Sequence, residues 1–214
     1  VNGGLAHPPK QARSRRTLER MVRATLALLR DRPFEEITVD EIVSRAGLTK
    51  GAFYHRFPDK AALLRLLNGE VRRESLEAWD AFLEPRVWAD ASLPEFLDAL
   101  VDRAVSLYAL RRDLQRTFIY EARWRGDATA AERARELNAR VRRGLERVLA
   151  SKRGELRVPS PERVAAFVLN TLVGVLTQAL LFDDDLGLGR LETGELTEGL
   201  KSSLTGYAVK TGAR

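Results

Sequence analysis

Apolar residues recur along most of this chain at the three-and-four spacing of a helix rather than the alternation of a strand. Leu18, Val22, Leu26 and Leu29 form one such stripe and predict a helix over residues 14–32. Arg32-Pro33-Phe34 stops it, because proline disfavours helical geometry at the residue before it. Thr38 followed by Glu41 is a capping box, so a second helix should begin at Val39 with Ile42 and Val43 on its inner side. Gly47 is placed to take the positive φ of a helix C-terminus. Thr49 can cap a third helix from Lys50 to about Phe57. Pro58-Asp59 then ends that helix and caps a fourth, Lys60 to about Leu83, with Leu64, Leu67, Val71 and Leu76 apolar.

The same spacing continues to the end. Ser92 and Glu95 make another capping box, opening a helix to about Leu110 with Phe96, Leu97, Leu100, Val101, Ala104 and Leu107 inward. Residues 113–125 and 128–153 give two more, the second with Leu137, Val141, Leu145 and Leu149 in heptad-like spacing and a solvated Arg/Glu face. Val158-Pro159-Ser160-Pro161 is a break, and Ser160, Pro161 and Glu162 start the next helix. A final helix runs from about Leu191 to Lys210. The expectation is an all-α chain of about nine helices, with a basic arm at 1–13, a three-helix unit at 14–60 and a second helical unit at 61–214.

Residues 164–182 run without a charge and are long enough on that count to span a bilayer. Asn170, Thr171, Thr177 and Gln178 interrupt the run, and no second segment like it exists. The better reading is a central helix buried against its own unit on one side and against a second subunit on the other. The final helix would complete that interface.

Composition narrows the function classes. The chain has no cysteine, which removes disulfide and thiolate chemistry, and its first dozen residues lack the apolar segment of a signal peptide. The two histidines stand in the arm and in the third helix, so no nucleophile–base or metal set can be assembled. Asp183-Asp184-Asp185 reads as a solvated acidic run, and no cofactor is called for. Net charge is +6, and residues 1–60 hold 12 Lys and Arg against 7 Asp and Glu. The positive excess therefore lies with the first three helices, where a polyanion would need it.

Two short helices around a Gly-containing turn form a helix-turn-helix, whose second helix can enter a DNA major groove. At 100° per residue, Phe53 and Phe57 point inward with Leu48, Gly51 and His55 fall opposite, and Ala52 and Tyr54 flank that outer face. Gly51 permits close approach to bases, and the Ala52 methyl suits a thymine methyl. Thr49 and Lys50 stand at the helix N-terminus, which favours phosphate. Lys10, Arg13, Arg15 and Arg16 could reach phosphates from the arm, against the plainer reading of a solvated chain end.

The segment ITVDEIVSRAGLTKGAFYHRFPDKAALL resembles the DNA-binding region of the TetR/AcrR family of bacterial transcriptional repressors. The resemblance covers the first third of the chain. Carried over position by position, it implies that Thr38, Thr49, Lys50, Gly51, Ala52, Tyr54 and His55 face a double-stranded DNA operator and that Lys60 holds a backbone phosphate. Pro33 departs from the family pattern, and Arg56 is only an optional phosphate contact.

The resemblance further implies a cytoplasmic repressor, a homodimer formed by the last two helices, and a small effector bound among the middle helices. Candidate lining residues are Trp79, Phe96, Leu100, Tyr108, Phe118, Trp124, Phe167, Asn170 and Thr171, with Phe82 beside them. Their aromatic, weakly charged character suits an apolar effector. The competing reading is a dimeric helical interaction protein without an effector pocket, or with a vestigial DNA-binding motif.

Overall fold

A computed structural model of the chain describes residues 10–32, 34–110, 112–123, 128–181, 189 and 191–210. Among them are nine α-helices and no strand; Leu156 and Val209 form one isolated antiparallel bridge. The chain divides into two units, residues 1–70 and 71–214, and the division falls inside the fourth helix. That is ten residues beyond the expected boundary, and Leu63, Leu64 and Leu67 before it are buried.

In the first unit, α1 spans Lys10–Leu28, α2 Val39–Ala46, α3 Lys50–Tyr54, and α4 begins at Lys60 and runs to Phe82. Helix α1 starts earlier than expected, so residues 10–13 belong to it and not to an arm; residues 1–9 lie outside the described part. It also ends at Leu28, four residues early, with Leu29 and Asp31 closing turns onto the Thr25 and Leu28 carbonyls (3.0 and 3.1 Å). Met21, Ile37, Ile42, Phe53 and Leu63 are fully buried at the centre. Phe53 meets Phe57 there at 5.4 Å between ring centroids.

In the second unit, α5 is Leu93–Leu110, α6 Arg112–Arg123, α7 Ala128–Ser151, α8 Pro161–Leu176 and α9 Thr193–Ala208. A single apolar core joins α5, α7, α8 and α9: Phe96, Leu100, Val148, Val164, Val168 and Leu204 are all but closed to solvent. The expected capping box opens α5, with the Ser92 N–H donating to Glu95 Oε2 (2.7 Å) and the Glu95 N–H to Ser92 Oγ (3.4 Å). Ser160 likewise accepts from the Arg163 N–H at the start of α8 (3.3 Å). The uncharged run does not continue as one α-helix: at Thr177–Leu181 it passes into a π-helical turn. No described helix is long and apolar enough to cross a membrane.

Gly144 shows how tightly this core is drawn. A Cβ there would stand 2.8 and 2.9 Å from Leu83 Cδ1 and Cβ, so only glycine lets α7 approach that side chain.

Candidate nucleic-acid interface

The helix-turn-helix is assembled from local bonds that the sequence spells out. The Thr38 N–H and hydroxyl donate to Glu41 Oε2 (2.8 and 2.7 Å), and the Glu41 N–H returns to Thr38 Oγ1 (3.3 Å). Arg32 donates to the other carboxylate oxygen. The Thr38 backbone and side-chain bonds, with Arg32 behind them, lower the Glu41 carboxyl to about 2. Gly47 ends α2 at φ 60°, its N–H donating to the Ser44 carbonyl (3.0 Å). Arg20 of α1 donates to the Gly47 carbonyl (2.8 Å) and so fixes the turn from outside. Thr49 caps α3 by accepting from the Ala52 N–H (3.2 Å).

These bonds set the outward face of α3. Phe53 and Phe57 are buried, whereas Thr49, Lys50, Gly51, Tyr54 and His55 are exposed and Ala52 is half-buried. Tyr54 is 55% exposed, which is unusual for a large ring and leaves its phenol available to a partner. Helix α3 is shorter than expected. It ends at Tyr54, and the chain reaches Phe57 through turns in which the Arg56 and Phe57 N–H groups both donate to the Phe53 carbonyl (2.9 Å each).

Several basic residues are already engaged. Lys50 Nζ donates to Asp40 Oδ1 (2.8 Å), and this bond raises the lysine from its ordinary value. That link between α2 and α3 was not legible in the sequence, because nothing in a ten-residue separation announces it. Arg56 donates to the Ser14 carbonyl and hydroxyl (2.7 and 2.5 Å), tying the turn after α3 to α1.

Lys60 is engaged as well. Its ammonium donates to the carbonyls of Phe34, Glu35 and Ile37 (2.8, 3.0 and 2.7 Å) and lies 4.7 Å from the Phe34 ring centroid. An ammonium group has three N–H donors, and three carbonyls stand within reach of them. Lys60 thus holds the 3-10 turn at Phe34–Glu36, and a phosphate contact at Lys60 calls for exchange of these bonds. Thr38 is exposed, but its hydroxyl is committed to the cap described above.

The expected effector residues do not share one environment. Phe96 and Leu100 are core residues, and Trp79 and Tyr108 pack against that core. Phe167 and Asn170 were expected inside; both are exposed on α8. Phe167 stacks on Tyr207 of α9 at 3.8 Å between ring centroids, and the Asn170 amide donates to its own helix at Ala166 (2.7 Å). Thr171 is half-buried. Trp124, the Phe118 side chain and the Asp183–Asp185 run lie outside the described residues.

Comparison with known proteins settles the family. Residues 22–67 match the model of bacterial regulatory proteins of the tetR family. Residues 92–207, more than half the chain, match the tetracyclin repressor-like C-terminal domain. The chain belongs to the TetR family. It is thereby a regulatory protein with a helix-turn-helix DNA-binding unit and an all-α second unit. The transposon Tn10 TetC protein of Escherichia coli is 25% identical over 109 residues, and the match covers 48% of this chain and 53% of that one.

Solved structures show the same fold. A putative TetR-family regulator from Mesorhizobium loti superposes with a TM-score of 0.68 at 15% identity, covering 95% of this chain and 100% of the other. SmeT, the repressor of the Stenotrophomonas maltophilia multidrug efflux pump SmeDEF, gives 0.65 at 20% identity over 92% and 94%. A TetR regulator from Haloarcula marismortui gives 0.67 at 20% over 90% and 96%.

Proposed function

We propose that this TetR-family chain is a cytoplasmic repressor that binds a roughly palindromic operator as a homodimer and is released by a small effector. The observation that carries the DNA-reading part is the outward face of α3, where Gly51, Tyr54 and His55 are exposed on a helix whose ends and inner side are fixed by caps and by Phe53. Thr49, Lys50 and Ala52 complete that face. Lys50 exchanges Asp40 for a phosphate or base edge when DNA arrives, and the exposure of the pair keeps that exchange inexpensive.

Support for the homodimer lies on α8 and α9. Phe167, Gly174 and Val175 are exposed along one side of α8, and Gly199, Ser202, Ser203 and Gly206 are exposed on α9. An apolar stripe beside small residues suits close packing against a two-fold copy. Two copies place two recognition helices on successive major grooves, about one helical turn or somewhat more apart.

Fluorescence anisotropy with DNA fragments recovered by the protein from a random pool tests the reading. Recovered sites are expected to bind far more tightly than random DNA, and Tyr54→Ala or Lys50→Ala to remove that difference. Equal affinity for both DNAs, in the wild type, would leave only a dimeric interaction protein with a disused motif. Sedimentation of Phe167→Glu tests the dimer, with a shift from dimer to monomer expected.

A further inference from the structure

We infer that Arg103 is the recognition residue of a ligand site in the second unit, and that its ligand is a small organic carboxylate with an apolar body. The inference rests on the effector reading above and names the chemistry of that effector.

Arg103 lies on α5 with its guanidinium carbon 5.0 Å from the Phe82 ring centroid and 5.6 Å from that of Trp79. Around it, Phe82 meets Trp79 at 5.9 Å and Trp88 at 5.0 Å, and Trp88 meets Phe96 at 5.1 Å. A cation is therefore held in an aromatic wall. Nη2 donates to the Ala78 carbonyl (2.9 Å), but Nε is closed to solvent and has no acceptor. Among the described residues no carboxylate stands within ion-pair distance of it. Asp102, its neighbour in sequence, is committed to Lys201 (2.9 Å).

Folding has thus half-buried a permanent cation and closed its Nε–H to water without giving that group an acceptor, and no anion stands beside it among the described residues. Aromatic faces compensate part of that loss, but they give the Nε–H no acceptor. The edge formed by Nε and Nη2 is one that a carboxylate engages with two parallel bonds. Because Nε is closed to water, the acceptor must arrive on a body that replaces water against Trp79 and Phe82. A neutral ligand would satisfy the hydrogen bond and leave the charge unpaired.

The position also gives such a ligand something to change. Ala78 lies in the last turns of α4, whose final carbonyl, that of Phe82, accepts from the Trp88 indole (2.6 Å). A carboxylate competes with the Ala78 carbonyl for Nη2 and so alters what holds that end of α4. Helix α4 is the one helix to which both units contribute residues.

The test uses the full-length chain, titrated by calorimetry and by tryptophan fluorescence with benzoate, phenylacetate and octanoate, each beside its neutral amide. At least one carboxylate is expected to bind about ten- to a hundredfold more tightly than its amide, the range that charge-assisted hydrogen bonds give. Arg103→Met, checked for folding by circular dichroism, is expected to abolish that preference. Should Arg103→Met fail to fold, Arg103→Lys keeps the charge without the paired edge and is expected to lose about tenfold. The inference is overturned if no carboxylate binds at millimolar concentration, or if the variants bind as the wild type does. Operator affinity measured in the same samples separates the two readings. Carboxylate binding that leaves DNA affinity unchanged keeps the site and removes the effector role. Absence of carboxylate binding removes this site and leaves the effector role to other chemistries.

Discussion

The two units of the chain treat their polar groups differently. In the first, the groups that shape the recognition face are satisfied over short distances: Thr38 with Glu41, Thr49 with the Ala52 amide, Arg20 with Gly47, and Lys60 with three carbonyls. In the second, the core is larger and mostly apolar, yet Arg103 Nε and Thr177 Oγ1 are buried without partners. Thr177 also opens a π-helical turn, a departure from regular geometry that often accompanies functional sites. A reader of DNA gains from arriving preorganised, since ordering its face at the moment of binding would cost affinity. A unit that answers a ligand needs groups whose bonding can change.

The sharpest way to break this contrast is to damage one core at a time. Phe53→Ala should cost the first unit about 3–5 kcal/mol, as large aromatic deletions do, while the second unit keeps its own transition in chemical denaturation. A single shifted transition for the whole chain would show that the units do not stand apart.

Lys60→Met comes next. It should cost about 1–3 kcal/mol in thermal unfolding, from three carbonyls losing a charged donor. The salt dependence of DNA binding should stay as it is, whereas loss of a phosphate contact would reduce the slope by about 0.9. A changed slope with unchanged stability would return Lys60 to the DNA.

The smallest effect is Thr38→Ala, about 1 kcal/mol for a lost helix cap. It carries a pH signature. Glu41 is held at about 2, below the ordinary carboxylate value of about 4.3, so its contribution is complete above roughly pH 5 and is lost as pH falls toward 2. Removing the Thr38 hydroxyl should flatten that acid limb in a series of unfolding midpoints from pH 7 to pH 2.

Legibility in the sequence followed the range of the interactions. Both capping boxes, the glycine turn and the buried placement of Phe53 and Phe57 were readable because each depends on residues within a few positions. The helices of the described residues followed from apolar spacing and caps. The partners of Lys50, Arg56 and Lys60 were not readable, since Asp40, Ser14 and the Phe34–Ile37 carbonyls reach them only after the chain has folded. Asn170 misled for a related reason: an amide in an uncharged run suggested burial, whereas it lies on the outer side of α8 with Phe167. Arg103 carried no signal at all until its aromatic neighbours on α4 were placed beside it.

Everything proposed for DNA recognition depends on the outward face of α3 reading base sequence. Selection of bound fragments from random DNA by the wild type and by Ala52→Ser and Tyr54→Ala variants tests it most directly. A two-fold-symmetric site is expected for the wild type, with the preferred bases at corresponding positions of both half-sites altered or lost in the variants. An identical selected site from all three proteins, or no enrichment by the wild type, would contradict it.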